Sequence, residues 1–290
     1  MAKKYKWAFT ARFRSRAYGW RGSGLATIRL KEAVTEIRKA ARTDPVLGGE
    51  GAVALMSRLW PALQDIDTSS GALGNAVYGT IEKLISVLTS APADRKTRTK
   101  WLERLFVAME NDGVQYLSPV EDLWGELCVF PELADEWAER LLPTVRAAWS
   151  DHDRFIFVTG DTACLSCLLE LGRYQELNEL LMIRSSAFWP IDRFGAEALV
   201  RQGMTDAAIA YAEARRKDDY DDSHIVEFCE RVLLNVGRRD EAYRVYGLHA
   251  SCANTYLAVF RAVSRKYPER DPRQILIDLI EARGDQGKWF

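Results

Sequence analysis

"LGRYQELNELL" (residues 171–181) recurs in outline twice further along the chain, as "QGMTDAAIAYA" (202–212) and "VGRRDEAYRVY" (236–246). Each segment has a glycine near its start, and these glycines are Gly172, Gly203 and Gly237, spaced 31 and 34 residues apart. A glycine that ends one helix in a left-handed turn, followed by a second helix, is the unit of a helical-hairpin repeat. The sequence therefore predicts successive helical hairpins in its second half.

A fourth hairpin follows the three glycine-marked ones. It is predicted from Asn254 through a helix start at Asp271-Pro272, although it lacks the glycine. Stacked hairpins bury their apolar residues between neighbours and leave one long face free of packing contacts. Such a face is suited to binding another molecule.

Helical periodicity also covers the first half of the chain. Behind the N-cap candidates Ser69 and Ser70, apolar residues recur at intervals of three and four, at Leu73, Val77, Ile81, Leu84, Ile85 and Leu88. Similar patterns predict helices near residues 24–42, 51–65 and 95–111. Pro61 is expected to bend or end the second of these.

Two further helix starts are marked by proline. Ser118-Pro119-Val120-Glu121 has the pattern of a capping box, in which the glutamate side chain returns to the N-cap amide. Pro131 begins the next helix, with its inward face at Trp137, Leu141, Val145 and Trp149. The only strand-like run in the interior, residues 155–158, is too short and isolated to build a sheet.

These patterns predict an all-α fold in which helical hairpins stack as an α-solenoid behind an irregular N-terminal helical region. We expect three parts: a basic aromatic segment over residues 1–22, a helical region over 23–150 and helical repeats over 151–290.

The repeat segments resemble tetratricopeptide repeats. The resemblance rests on Gly-x-Tyr-x-x-Leu at Gly172, Tyr174 and Leu177, and on Gly-x-x-x-x-Ala beginning at Gly203 and at Gly237. It covers residues 160–283 and implies a tetratricopeptide-like solenoid that binds proteins or peptides on a concave surface. The whole chain is also similar to bacterial helical proteins with no assigned activity.

Charge is divided unevenly along the chain. Residues 1–42 hold twelve Lys or Arg and two acids, a net charge of +10, whereas the remainder holds 28 basic and 39 acidic residues, a net charge of −11. Such asymmetry indicates either a basic arm for an anionic partner or a basic element neutralised by its own protein.

Residues 3–22 combine this positive charge with aromatic side chains. As a strand, Tyr5, Trp7, Phe9 and Phe13 share one side; as a helix, Phe9, Phe13, Ala17 and Trp20 form a stripe. Either arrangement favours packing onto the helical body. The alternative is contact with an anion or nucleic acid, and the candidate residues are Lys4, Lys6, Arg12, Arg14, Arg16 and Arg21. A targeting role, including a mitochondrial transit peptide, and a membrane role are minor alternatives.

No candidate motif points clearly to catalysis. Cys164-Leu165-Ser166-Cys167 has the spacing of a redox or zinc half-site, but it lacks a second ligand pair, so buried reduced thiols are favoured for all five cysteines. "GGEG" (48–51) lacks the lysine of a phosphate loop. The acids in "RRKDDYDDSH" (215–224) lack calcium-loop spacing, and Asp222 or Ser223 is expected to cap a helix. The three histidines are scattered along the chain.

We therefore predict a non-catalytic scaffold that binds another protein or peptide, with no cofactor and no metal. The alternative is a nucleic-acid-binding helical protein that uses residues 3–42. An enzyme is the minority interpretation, because it would need a pocket with perturbed titratable groups, which sequence cannot show. The absence of a long apolar run favours a soluble, cytoplasmic protein with no membrane contact.

The sequence finishes with "GDQGKWF" (284–290), which brings two large apolar residues together. We expect Trp289 and Phe290 to be buried, either on the last hairpin or in a partner or second copy of the chain. This end is therefore a candidate self-association surface, and a frayed exposed tail is the alternative.

Overall fold

Helices and the turns between them make up the chain wherever the structure describes it. The computed structural model describes residues 5–150, 158–184, 186–216, 222–250 and 255–283, and these contain no strand. The chain divides into two compact units, residues 1–184 and 185–290. The predicted all-α fold class is confirmed.

Ten helices lie in the first unit's described residues: α1 Ser23–Thr43, α2 Pro45–Met56, α3 Leu59–Leu63, α4 Ala72–Ser90, α5 Arg95–Glu110, α6 Ser118–Asp122, α7 Trp124–Cys128, α8 Pro131–Trp149, α9 Asp161–Glu170 and α10 Tyr174–Met182. Six lie in the second unit's: α11 Trp189–Arg201, α12 Thr205–Glu213, α13 Ser223–Asn235, α14 Arg239–Ala242, α15 Tyr256–Lys266 and α16 Pro272–Arg283. A π-helical turn, Tyr243–Gly247, continues α14.

Helix α8 contributes a row of buried apolar residues to the first unit's core, and its start and its spacing follow the sequence pattern. Pro131 opens α8, as predicted, and its periodic residues Trp137, Leu141, Val145 and Trp149 are all buried. The Trp137 ring lies 5.0 Å from both Phe106 of α5 and Trp124 of α7. Tilted and edge-on aromatic packing of this kind adds to the stability gained by burial.

Glycines in α2 let three other elements approach closely. A side chain at Gly48 would meet Cβ of Ala41 at 2.4 Å, one at Gly49 would meet the Trp101 ring at 2.2 Å, and one at Gly51 would meet the Trp7 ring at 2.5 Å. "GGEG" is thus a packing face within a helix. The helix predicted over residues 51–65 is divided before Pro61 is reached, because α2 ends at Met56. Pro61 lies within the short α3.

The C-terminal end of α4 is closed by a buried arginine. Arg98 of α5 is 1% exposed, and its Nη1 and Nη2 donate to the carbonyls of Leu88 and Ala91, each at 2.7 Å. Helix C-termini leave carbonyl groups without intrahelical partners and carry partial negative charge. A guanidinium group donates hydrogen bonds to those carbonyls and supplies the opposite charge. Arg98 therefore fixes α5 against the end of α4.

The predicted capping box at Ser118–Glu121 does not form. The Glu121 side chain turns inward and accepts a hydrogen bond from the Gly160 amide at 2.5 Å, and the N-cap of α6 is Leu117. The predicted helix is also divided, because α6 ends at Asp122 and α7 begins at Trp124. A tertiary hydrogen bond has replaced the local one.

The second unit has its own apolar core, built from small residues on α12 and larger ones on α13 and α15. Ala208, Ala212, Cys229, Leu233 and Val259 are fully buried. The predicted helix starts at Ser223, with Asp222 as N-cap, and at Pro272 are both observed.

Candidate binding surfaces

The three repeat glycines all adopt the same left-handed turn. Their φ angles are +69° at Gly172, +76° at Gly203 and +79° at Gly237. In each turn the glycine amide bonds the carbonyl three residues back, and the next amide bonds the carbonyl five residues back. This is the Schellman motif, which satisfies two carbonyls at a helix end. The predicted turn geometry is therefore present at all three positions.

An arginine after two of these glycines ties the turn to neighbouring helices. Arg173 donates to Glu176 of its own helix and to Glu139 of α8, at 2.6 and 2.7 Å. Arg238 pairs with Glu241 of its own helix and with Asp206 of α12. Both arginines belong to the pattern Gly-Arg-x-x-Glu, at residues 172–176 and 237–241, which could have indicated this contact from the sequence.

The basic N-terminal segment is packed by its aromatic side chains. Trp7, Phe9, Phe13 and Tyr18 are buried, and the Glu36 carboxylate accepts hydrogen bonds from the amides of Ala8 and Phe9. Apart from a 3₁₀ turn at Ala8–Ala11, residues 5–22 are irregular and form neither a strand nor an α-helix. The turn contacts α1 and α2, and the Trp7 ring packs against Gly51 of α2.

Its charged residues fall into two groups. Arg12 forms an ion pair with Glu32, and Arg16 lies 3.8 Å from Asp65. Lys6, Arg14 and Arg21 are exposed and form no ion pair within the described ranges. Exposed aromatic surface remains at Trp20, which is 67% exposed, and at Tyr5. Lys4 lies outside the described residues.

A cleft in the first unit gathers basic side chains that sequence reasoning did not connect. It consists of two pockets that share Arg104, and we call it the arginine cleft. One pocket, of about 850 Å³, is lined by Ser57, Trp60, Pro61, Gln64, Thr99, Lys100, Glu103, Arg104, Val107, Ala108 and Asn111. The other, of about 740 Å³, is lined by Tyr5, Lys6, Trp7, Thr10, Leu47, Glu50, Ala54, Arg58 and Arg104.

Positive charge in the arginine cleft is incompletely compensated. Burial first, and then the charge of Arg58, lower the pKa of Arg104, while Glu50 raises it. Within the described chain neither guanidinium forms an ion pair or hydrogen bond, and the buried Nε of Arg58 has no partner. Of the two lining acids, Glu103 already pairs with Arg140 at 2.8 Å. An anion entering the cleft would therefore meet two unpaired guanidinium groups.

A groove of opposite charge lies in the second unit, and we call it the acidic groove. It measures about 830 Å³ and is lined by Asp240, Glu241, Tyr243, Arg244, Leu248, Arg270, Asp278, Glu281 and Ala282. Four acids against two arginines give it a net charge of −2. Arg270 pairs with Asp240 and lies over the Tyr243 ring, so its charge is already engaged.

Two neighbouring acids of the first unit, the buried Asp161 and the half-buried Glu121, have raised pKa values. Burial, followed by the charge of Asp161, raises the pKa of Glu121 to about 8, and burial also raises the pKa of Asp161 to about 6. Neither residue lines the arginine cleft. Their carboxyl groups stabilise the fold best when protonated, so they are pH-sensitive structural groups.

The remaining candidates are structural or lie outside the described residues. Cys128, Cys164, Cys167 and Cys229 are free, buried thiols, in agreement with the favoured interpretation, and burial raises the pKa of Cys164 to about 12. No cluster of three or more metal-ligating side chains occurs in the part of the chain described. Cys252, Trp289 and Phe290 lie outside it, as do residues 155–157 of the strand-like run.

Comparison with known protein families, with curated proteins and with solved structures gave no match to this chain. None of the helices in the described ranges is sufficiently long and apolar to cross a membrane.

We predict opposite effects of the same substitution at two glycines of the first unit. Gly172→Ala places a side chain at φ +69°, where the added Cβ meets only ordinary contacts, and we expect a loss of about 1–2 kcal/mol from left-handed strain. Gly79→Ala, in the open interior of α4, should gain about 0.5–1 kcal/mol. Urea denaturation measures the free energy of unfolding of both variants. An unchanged free energy of unfolding for Gly172→Ala would contradict the assigned turn.

Stability is also expected to fall with rising pH through Glu121. Because its pKa is about 8 when folded and near 4.5 in its ordinary state, the folded protein retains a proton that the unfolded chain loses between these values. The free energy of unfolding should therefore decrease from pH 5 to pH 8, and Glu121→Gln should flatten that decrease. Glu126→Gln, at an exposed acid on α7, is the matched control. Equal slopes for the wild type and Glu121→Gln would refute the assignment.

Proposed function

We propose that this chain is a non-catalytic scaffold that binds proteins or peptides on a surface built from helical repeats. The observation that carries the proposal is the acidic groove, which is lined by α14 with its π-helical turn and by α16, the second helices of the last two hairpins. A groove between equivalent helices is the kind of surface that stacked hairpins create for extended partners.

Contacts between like elements support the stacking on which this proposal depends. In the second unit, Arg231 of α13 pairs with Glu197 of α11, and Tyr243 donates to Asp278 of α16 at 2.5 Å. These partners are 34 and 35 residues apart, which is one repeat length. Each contact joins first helix to first helix or second helix to second helix. A tetratricopeptide-like solenoid would produce this pattern.

The buried Glu230 makes a third such contact. It accepts hydrogen bonds from Tyr267 at 2.8 Å and from Lys266 at 2.5 Å, across 37 and 36 residues. A buried carboxylate is tolerated when hydrogen bonds and an opposite charge compensate it. Glu230 therefore links the first helices of the last two hairpins.

Charge and apolar surface together define the partner that suits the acidic groove. Its net charge of −2 favours Lys and Arg side chains. On α16, Ile277 and Ile280 are about half exposed, and Ile277 lies one helical turn from Glu281 on the same face. The preferred partner is a basic peptide segment that also carries an apolar residue.

A labelled peptide pair tests this function by fluorescence polarisation. We expect a Lys/Arg/Leu peptide to bind and its Glu-substituted counterpart not to bind. Glu281→Lys or Ala282→Trp should weaken binding by about tenfold, which corresponds to roughly 1.4 kcal/mol. Glu110→Lys, at an exposed acid in the first unit, is the control. Equal affinity for both peptides, or no binding by either, would overturn the proposal.

Nucleic-acid binding through the N-terminal region is the second candidate function. It is favoured by three exposed residues of the N-terminal segment, since Trp20 offers a stacking surface and Arg14 and Arg21 offer positive charge. It is limited by the burial of four other aromatic residues and by the ion pairs of Arg12 and Arg16.

A salt titration with mixed-sequence DNA tests this candidate. The logarithm of affinity should fall with the logarithm of salt concentration, at a slope of roughly −0.9 per phosphate neutralised on duplex DNA. Arg14→Glu combined with Arg21→Glu should flatten the slope, whereas Arg244→Glu in the second unit should not. If DNA does not bind even at low salt, this function is excluded.

A further inference from the structure

The arginine cleft combines properties that the proposed scaffold function does not use. Arg58 is close enough to contribute to the lowered pKa of Arg104, and Glu50 acts in the opposite direction, yet no described acid forms an ion pair with either arginine. Like charges held together on a folded surface are unfavourable unless a counter-charge joins them. An anion bound between the two side chains would remove this repulsion.

The two pockets of the cleft differ in character. The pocket that contains Arg58 is also lined by Lys6, Thr10 and Glu50, so its three basic residues, Arg104 included, outnumber its one acid. The other presents the Trp60 ring with Pro61 and Val107, and Arg104 lies in the wall of both pockets. One side is therefore suited to a charged group and the other to an apolar or planar group.

We propose that the arginine cleft binds a small phosphate ester with a planar ring, of nucleotide size. Its phosphate lies between Arg58 and Arg104, and its ring lies against Trp60. Arginine guanidinium groups match phosphate oxygens with paired hydrogen bonds, and neither guanidinium of the cleft has a hydrogen-bond or ion-pair partner among the described residues. The volumes of about 850 and 740 Å³ lie within the usual range for small-ligand sites.

A ligand in the arginine cleft would contact two separate elements of the first unit. Tyr5, Lys6 and Trp7 line the phosphate side, and they belong to the N-terminal segment, whereas Arg104 belongs to α5. A ligand that contacts both elements binds the folded state alone and therefore raises its stability by mass action. Ligand binding should consequently raise the melting temperature.

Isothermal titration calorimetry with ADP and with inorganic pyrophosphate tests the proposal. We expect both probes to bind, with ADP binding more tightly. Arg104→Gln and Arg58→Gln should each lower the affinity for both probes by roughly tenfold, because each removes one charged hydrogen-bonded contact. Trp60→Leu should lower the affinity for ADP by roughly fivefold or more, because base stacking is lost, and should leave the affinity for pyrophosphate unchanged. Arg146→Gln, at an exposed arginine of α8 that lines neither pocket, is the matched control.

Several results would overturn the proposal. One such result is that neither probe binds the wild-type protein at millimolar concentration. Another is that Arg104→Gln and Arg146→Gln weaken binding equally. Binding of an oligonucleotide without binding of ADP would also reject it and favour the nucleic-acid function. Melting temperatures without ligand show whether each variant is folded, and Arg104→Lys, which keeps the charge, should retain partial affinity. Because the peptide assay reports on the second unit, the two proposals can fail separately.

Discussion

Helix C-termini impose the constraint on which both units depend, because each leaves carbonyl groups that the helix itself cannot satisfy. The chain meets this constraint in two ways. At Gly172, Gly203 and Gly237 a left-handed residue turns the backbone so that following amides reach back to those carbonyls. At the end of α4, Arg98 does so from another helix. The first solution is local and repeats easily, whereas the second requires a particular neighbour.

This difference is reflected in the organisation of the two units. Local turns with like-to-like contacts, such as Tyr243 with Asp278, suit an array in which each hairpin depends mainly on the next. The first unit contains such a turn at Gly172 and depends in addition on specific long-range partners, including Arg98 and the aromatic cluster around Trp137. The proposed peptide groove lies in the second unit, and the proposed phosphate site lies in the first.

Sequence reasoning succeeded where the determining interactions are local. The helices from Pro131 and Pro272 and the three glycine turns follow from proline, glycine and apolar spacing within a few residues. The burial of Trp7, Phe9 and Phe13 was favoured because either regular arrangement grouped aromatic side chains. The tetratricopeptide-like solenoid and the binding functions remain proposals.

Sequence reasoning missed what depends on distant partners. The Glu121 side chain matches a capping box locally, but a hydrogen bond from Gly160, 39 residues away, determines its direction. The arginine cleft brings residue 58, in the turn between α2 and α3, together with residue 104 of α5, and no spacing rule connects these two arginines. Gly-Arg-x-x-Glu was visible in the sequence, yet its role appears only once the acids of α8 and α12 are placed.

The glycines of α2 have a consequence for the order of folding. Each glycine within a helix costs about 1 kcal/mol in helix propensity relative to alanine, so a twelve-residue helix that contains Gly48, Gly49 and Gly51 has little tendency to form alone. In the folded protein, Ala41, Trp101 and Trp7 pack closely against these glycine positions. Consequently, α2 should become ordered late, in a step that joins residues about fifty positions apart, and it should contribute to the cooperativity of unfolding in the first unit.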